Sequence, residues 1–259
     1  LNTTPDSFSD GGRFMAGSRA LGHARRMVEE GADIIDVGGE STRPGAADVG
    51  EQEEIDRVVP VIESIRAELD VPVSIDTSKP GVMRAAVAAG ADMINDVRAL
   101  RAAGALEAAA ELQKPVCLMH MQGAPQTMQQ DPRYDDLVAD VTQFLRERVA
   151  ECVAAGLDEE LLLVDPGFGF GKTPADNIGL LANLRQLLVI GRPLLVGISR
   201  KSTLGVLTGR EVGERVPASI AAAVMAVDRG ASIVRVHDVA ETVDAMRIAS
   251  EVIEMDTSK

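Results

Sequence analysis

Short apolar runs in this chain repeatedly end in a polar residue that could do chemistry. These are Asn2, Asp36, Asp76, Asn95 with Asp96, His120, Asp165, Ser199 with Lys201, and Arg235 with His237. Asp76, Asn95 and Asp165 offer acceptors and an amide, and Lys201 offers donors. That mixture suits a flat heterocycle with an aminopyrimidinone edge, because a carboxylate pairs with an amino group plus a ring N–H while an ammonium meets the ring carbonyl. Arg235 and His237 stand two apart on a strand and so share a face. As two cationic donors they read as an anion site, with phosphate the natural occupant; the competing reading is an ion pair with Asp238. Any single polar residue at a strand end is ordinarily a cap or turn former. Recurrence at eight ends is what turns the pattern into an expected binding mouth.

Three loops carry further candidates. ESTRPGA at 40–46 combines Pro44-Gly45 turn chemistry with Arg43, whose bland reading is a solvated turn. DPGFGFGKTP at 165–174 is glycine-rich but lacks Walker A spacing, so its glycines read as allowing close backbone approach to a flat ligand. GISRKSTLG at 197–205 places Ser199 to Ser202 where a strand turns into a helix. Free N–H groups there favour an anion, and Ser202 reads as the helix cap or a carboxylate ligand.

The elements that must position these residues follow a strict rhythm. VEEGADIIDVGGE, VAAGADMINDVR and VDRGASIVRVHD each run a helix into a strand, with Gly31, Gly90 and Gly230 as the stop. Strands are expected within 72–77, 115–121, 161–167 and 193–199, and helices at about 18–31, 51–69, 80–89, 104–113, 135–156, 176–188, 214–229 and 239–255. Such alternation implies a parallel sheet with right-handed crossovers. If Leu1-Asn2 ends a strand whose earlier residues are missing, the seven visible strands become eight and a (β/α)8 TIM barrel follows, one domain over 1–259. Its length suits that fold, typically about 250 residues. A doubly wound open sheet is the other possibility, weakened because no Gly-rich dinucleotide fingerprint follows the first strand.

A net charge of −14 argues against nucleic-acid and anionic-membrane partners. The apolar runs are too short to span a bilayer. Cys117 and Cys152 lie in apolar and helical patterns, read as buried reduced thiols, and fit a cytoplasmic protein.

LNTTPDSFSDGG, IDVGGESTRPGA, IDTSKP, ADMINDV, LMHMQG, LLLVDPGFGFGK, LVGISRKS and IVRVHD, in this order and spacing, resemble bacterial dihydropteroate synthases of the folate pathway. The resemblance implies a (β/α)8 barrel that joins 6-hydroxymethyl-7,8-dihydropterin diphosphate to p-aminobenzoate, releasing pyrophosphate, with magnesium as cofactor. It also implies a homodimer and a sulfonamide target. Carried over by position, it assigns pterin binding to Asp76, Asn95, Asp165 and Lys201, the diphosphate to Arg235 and His237, and the magnesium to Asn2. Phe8 and Asp10 fall on a first mobile loop and Thr42 and Arg43 on a second, with Ser202 at the carboxylate end of the p-aminobenzoate pocket. Lys201, Arg235, His237 and Asp10 are the implied catalytic set. Thr3 departs from the pattern, which more often has valine there. A pterin-binding methyltransferase domain and a non-catalytic paralogue are the alternatives; SRKS and DSFSDGG, both present, argue against the former.

Overall fold

Glycine ends the helices where the Gly-Ala pairs call for it. Gly31, Gly90 and Gly230 adopt φ of +99°, +112° and +97°. Ala32 N–H donates to Met27 O at 2.8 Å and Ala91 N–H to Ala86 O at 2.9 Å, the six-to-one closure of a left-handed helix stop. Gly156, at +97°, makes a further stop that the repeat does not single out. Each stop turns the chain directly into a β-branched run or the approach to one.

The protein is described by a computed structural model, which covers residues 1–3, 13–41, 48–123, 128 and 132–257. It divides into two compact units, Leu1–Met119 with Arg148–Leu162, and His120–Glu147 with Leu163–Lys259. The first unit contains α1 (Arg13–Glu29), β1 (Ile35–Gly38), α2 (Glu51–Glu68), β2 (Val73–Asp76), α3 (Pro80–Ala88), β3 (Met93–Asp96), α4 (Ala105–Leu112) and β4 (Val116–Met119). Its strands pair in chain order and in parallel, and Asn2 adds a parallel bridge to Gly38. The second unit takes the N-terminal turns of α5 (Leu137–Ala154), then β5 (Leu162–Asp165), whose first residue closes the other unit. It continues through α6 (Pro174–Ala182), β6 (Leu194–Val196), α7 (Ser202–Thr208), α8 (Val216–Asp228), β7 (Ala231–Val234) and α9 (Val239–Thr257). Here too β5, β6 and β7 pair in parallel, with an irregularity between Leu194 and Leu195.

Apolar residues on both sheet faces hold these strands. Ile35, Val37, Val73, Ile75, Ile94, Val116 and Leu118 lie in register on one face and are all buried, and Met93, Cys117 and Met119 are buried on the other, the pattern of a parallel sheet covered on both faces. Val58, Ile62 and Ile65 of α2 and Val82, Met83 and Ala86 of α3 are buried with them. Each fully buried aliphatic side chain contributes about 1.5–3 kcal/mol. β7 is the exception, with Ser232 exposed and Ile233 and Val234 only half-buried.

Two boundaries depart from the sequence pattern. α1 starts at Arg13 rather than 18, and the expected helix 176–188 divides into α6 and a 3-10 helix Leu184–Ile190; the helix expected to follow Ser199–Ser202 is the short α7. No helix among the described residues is long and apolar enough to cross a membrane.

Candidate active site

In the first unit, strand register brings predicted residues into one row. Gly38 pairs with Asp76 and Asp76 with Asn95, while Asn2 bridges Gly38. Directly opposed residues on neighbouring strands project to the same face. A Cβ on Gly38 would stand 3.5 Å from Asp76 Cβ and 3.8 Å from Asn2 Oδ1, ordinary contact distances that put both polar side chains beside this position. Asn95 is buried and its Nδ2 donates to Asp36 Oδ2 at 3.3 Å. Thr3 donates its hydroxyl to Gly38 O at 3.1 Å, which satisfies the polar atom that valine would lack.

Asp96, the neighbouring acid, does different work. Its carboxylate accepts from Ser78 Oγ, Arg98 N at 2.8 Å and Leu100 N at 2.7 Å. These bonds hold a turn in which Ala99 and Leu100 take φ of +52° and +57°. Burial raises its pKa, and the three donors pull it back.

A charged cluster missed by motif reading links Glu40, just after β1, to α2 and the start of α3. Glu40 accepts from Val49 N at 3.0 Å and from Lys79 Nζ at 2.6 Å, and Lys79 also pairs with Glu54. Glu54 is 0% exposed, so Lys79 offsets a charge that burial alone would penalise. Burial pulls the Lys79 pKa down, but the hydrogen bonds it donates to Glu40 and Glu54 leave it raised overall. The signal was present as an acid at 40, an acid at 54 on a helical apolar face, and a lysine in IDTSKP. Thr42, Arg43, Phe8 and Asp10 lie outside the described residues.

In the second unit, β5 delivers Asp165 buried at the head of the glycine-rich loop. Its Oδ1 accepts from Gly167 N at 2.7 Å, and its carbonyl accepts from His120 N at 2.9 Å. Burial pushes the carboxyl pKa up; Lys201, the Gly167 N–H, Lys172 and Arg235 oppose that shift. Lys201 donates Nζ to Phe168 O and lies over the Phe170 ring at 4.5 Å from its centroid. A buried carboxylate in the field of nearby cations is a ready acceptor for paired N–H donors. Gly171 allows the loop to close, because a Cβ there would stand 2.5 Å from Gln122 O. The Lys-Thr-Pro end of the loop forms a helix start: Thr173 accepts from Asp176 N at 3.1 Å and Thr173 N donates to Asp176 Oδ2 at 2.8 Å. Its threonine is therefore a cap.

The remaining predicted groups cluster after β6 and β7. Ser199 Oγ accepts from His237 N at 3.2 Å and lies 3.0 Å from His237 Nδ1. Arg235 N donates to Val196 O at 2.9 Å. Asp238 pairs with Arg200 through both carboxylate oxygens, so the ion pair weighed for Arg235 or His237 is made by another residue. Partial burial, Arg235 and Arg200 push the His237 pKa down to about 4. His237 is therefore a neutral imidazole at pH 7, where spacing alone suggested a cation. Ser202 is exposed and is the first residue of α7; Lys201 holds the N-cap position with extended φ −64° and ψ 157° and no side-chain cap bond. The helix-cap reading of Ser202 thus gives way, because the chain is still extended one residue earlier.

Among the described residues no group of three His, Cys, Asp or Glu side chains could hold a metal ion. The Asn2 amide oxygen, exposed beside Asp76, fits a hard divalent ion that keeps waters and takes its other oxygens from a substrate.

The family model described as pterin binding enzyme matches residues 1–237. The chain is 53% identical to the dihydropteroate synthase of Escherichia coli (strain K12) over 259 residues, all of this chain and 92% of that one. It is similar to the Yersinia pestis dihydropteroate synthase in a sulfonamide drug complex, with a TM-score of 0.93 and 55% identity over 97% of this chain and 92% of the other. The Xanthomonas albilineans dihydropteroate synthase in complex with 7,8-dihydropteroate matches with a TM-score of 0.89 and 52% identity, over 97% and 91% of the two chains.

Proposed function

The chain belongs to the pterin-binding enzyme family and, within it, to the dihydropteroate synthases; from that premise we propose how its own residues perform the condensation. The reaction is a group transfer: the pterin methylene leaves its diphosphate and joins the amine of p-aminobenzoate, giving 7,8-dihydropteroate and pyrophosphate. The relatives named above are dihydropteroate synthases rather than methyltransferase domains.

Asp165 is the observation that carries the site reading, since it is a buried carboxylate in the field of Lys201 and Arg235. It accepts the pterin amino group and ring N–H, and Lys201 meets the ring carbonyl. Asp76 and Asn95, neighbours in one row, supply further acceptor and amide contacts to the pterin. Arg235 and His237 bind the diphosphate, and Ser202 takes the carboxylate of p-aminobenzoate. The roles of Phe8, Asp10, Thr42 and Arg43 rest on the resemblance alone.

Asn2 would hold magnesium, which when bound supplies positive charge to the leaving diphosphate. The carbon–oxygen bond breaks with its electron pair going to pyrophosphate, and the electron-rich pterin shares the methylene cation. The arylamine nitrogen then attacks and loses a proton. No strong general base is required of the protein, so catalysis consists of positioning and electrostatic stabilisation.

A closed (β/α)8 barrel is supported by the parallel pairing within each unit and by the TM-score of 0.93. A homodimer is supported by an exposed apolar face in the second unit. Ile248, Val252 and Met255 share one side of α9, at 69%, 63% and 72% exposure, and Val206 and Leu207 of α7 are also exposed. A cytoplasmic location is supported by the two buried free cysteines. The function is tested by pyrophosphate release with both substrates, with and without magnesium. Release that needs p-aminobenzoate supports it; release indifferent to p-aminobenzoate overturns it.

A further inference from the structure

Lys172, at the end of the glycine-rich loop, is 2% exposed. Its three N–H groups go to neutral acceptors: Gly167 O at 2.9 Å, Phe170 O at 3.1 Å and His120 Nδ1 at 3.0 Å. Burying an ammonium without a hydrogen-bonded carboxylate is costly, and a structural loop could be held by an amide or hydroxyl instead. The cation therefore calls for a reason. Two of its acceptors are backbone carbonyls of the segment between Asp165 and α6, and Lys201 holds Phe168 O of the same segment. The third fixes His120 with its proton on Nε2 when the lysine is charged, the ring packed edge-on to Phe144 at 5.0 Å and tilted against Tyr134 at 6.1 Å. Tyr134 in turn donates to Gly171 O at 2.6 Å. One ammonium thus ties the loop backbone to an aromatic cluster.

We propose that Lys172 is a positioning residue for the pterin site, whose buried ammonium holds the Gly167–Phe170 backbone and favours the carboxylate form of Asp165 that accepts the pterin N–H groups. The proposal rests on Asp165 being the pterin's carboxylate partner.

The charges around the pair fit this role. Asp165 is faced by Lys172, Lys201 and Arg235, with the Gly167 N–H bonded to it. Lys172 is faced by Asp165, Asp176 of α6 and Lys201, with His120 as its ring partner. Burial pushes the Lys172 pKa down to about 7, against the pull of Asp165 and Asp176. The lysine is consequently charged on the acid side of neutrality, the range in which a buried carboxyl would otherwise take up a proton.

Calorimetric titration of the intact chain with 6-hydroxymethylpterin, from about pH 5 to about pH 8, tests the idea on wild type, Lys172→Met, Lys172→Gln and Asp165→Asn. In Lys172→Met the acid limb of the affinity profile should move up by about one pH unit, with about tenfold weaker binding on that limb. Lys172→Gln keeps donors for the loop carbonyls and should show the same displacement with a smaller loss at high pH. A uniform loss at every pH in both variants, a wild-type profile, or failure of both to fold by thermal melting overturns the proposal. If Asp165→Asn binds the pterin like wild type, the pterin assignment of Asp165 fails. If it loses binding throughout while the Lys172 variants keep the wild-type limb, only the role of Lys172 fails.

Discussion

Ser199 Oγ lies 3.0 Å from His237 Nδ1 and accepts a hydrogen bond from His237 N. Two residues 38 apart in sequence thereby join the loop after β6 to the loop after β7. Arg235 and Arg200 help keep the imidazole neutral, with a pKa pushed down to about 4.

A bound diphosphate would reverse that bias. The anionic oxygens of a diphosphate beside His237 favour the imidazolium, so pyrophosphate binding at pH 6 should be accompanied by proton uptake. Calorimetry in two buffers of different ionisation enthalpy measures it, and His237→Gln should abolish the uptake. The free protein should behave oppositely. Because the folded imidazole titrates below its ordinary 6.5, the unfolded chain binds the proton first as pH falls. Stability should therefore decline between pH 6.5 and about 4, and less so in His237→Gln. The open edge of the ring screens the effect, which keeps it to about 1 kcal/mol.

The Arg200–Asp238 pair ties the same two loops. Arg200 holds φ +56°, a strained value for arginine, and its N–H donates to Ser219 Oγ at 2.9 Å. Lys201 follows it directly, so slack at Arg200 moves the ammonium. Arg200→Gln and Asp238→Asn should each cost about 1–2 kcal/mol in stability, the partial exposure of Arg200 screening the pair, and should lower kcat about tenfold or more. Since both break one interaction, the double variant should cost little beyond either single one, as a double-mutant cycle of melting and rate would show.

Much of this was legible from periodicity. Apolar runs ending in a polar residue marked the strands, and Gly31, Gly90 and Gly230 marked the stops, because both signals are local. Strand register then aligned Asn2, Asp76 and Asn95 in a row that parallel alternation already implied. Lys172, Arg200 and Lys79 were not legible. A charged residue reads as solvated until its partners are known, and these partners sit 52, 38 and 39 positions away in sequence.

Lys79 is expected to matter more for stability than its half-buried side chain suggests. Removing it leaves the Glu54 carboxylate, 0% exposed, without its cation. Lys79→Met should cost about 3–5 kcal/mol. Glu54→Gln keeps an acceptor for the ammonium and should cost less. Chemical denaturation of both variants gives the order; equal costs would count against a charge-based brace.

Gly171 and Gly156 separate two reasons for glycine. Both hold a positive φ, +62° and +97°, so alanine is strained at either. At Gly156 a Cβ would meet nothing within 4 Å, whereas at Gly171 it would stand 2.5 Å from Gln122 O and 3.1 Å from Gln122 N. Backbone cannot yield as a side-chain tip can. Gly156→Ala should therefore cost about 1 kcal/mol, the conformational strain alone. Gly171→Ala should cost about 2–4 kcal/mol by adding overpacking to strain. It should also weaken pterin binding, because the displaced segment carries Phe168 O and Phe170, the contacts of Lys201, and Gly171 O, the acceptor of Tyr134. Gly156→Ala, where a Cβ meets nothing within 4 Å, should leave pterin affinity unchanged. Thermal melting and pterin titration of the two variants side by side check both halves of the contrast, and a Gly171→Ala protein with undiminished affinity would show that the loop's close approach to Gln122 does not position the site.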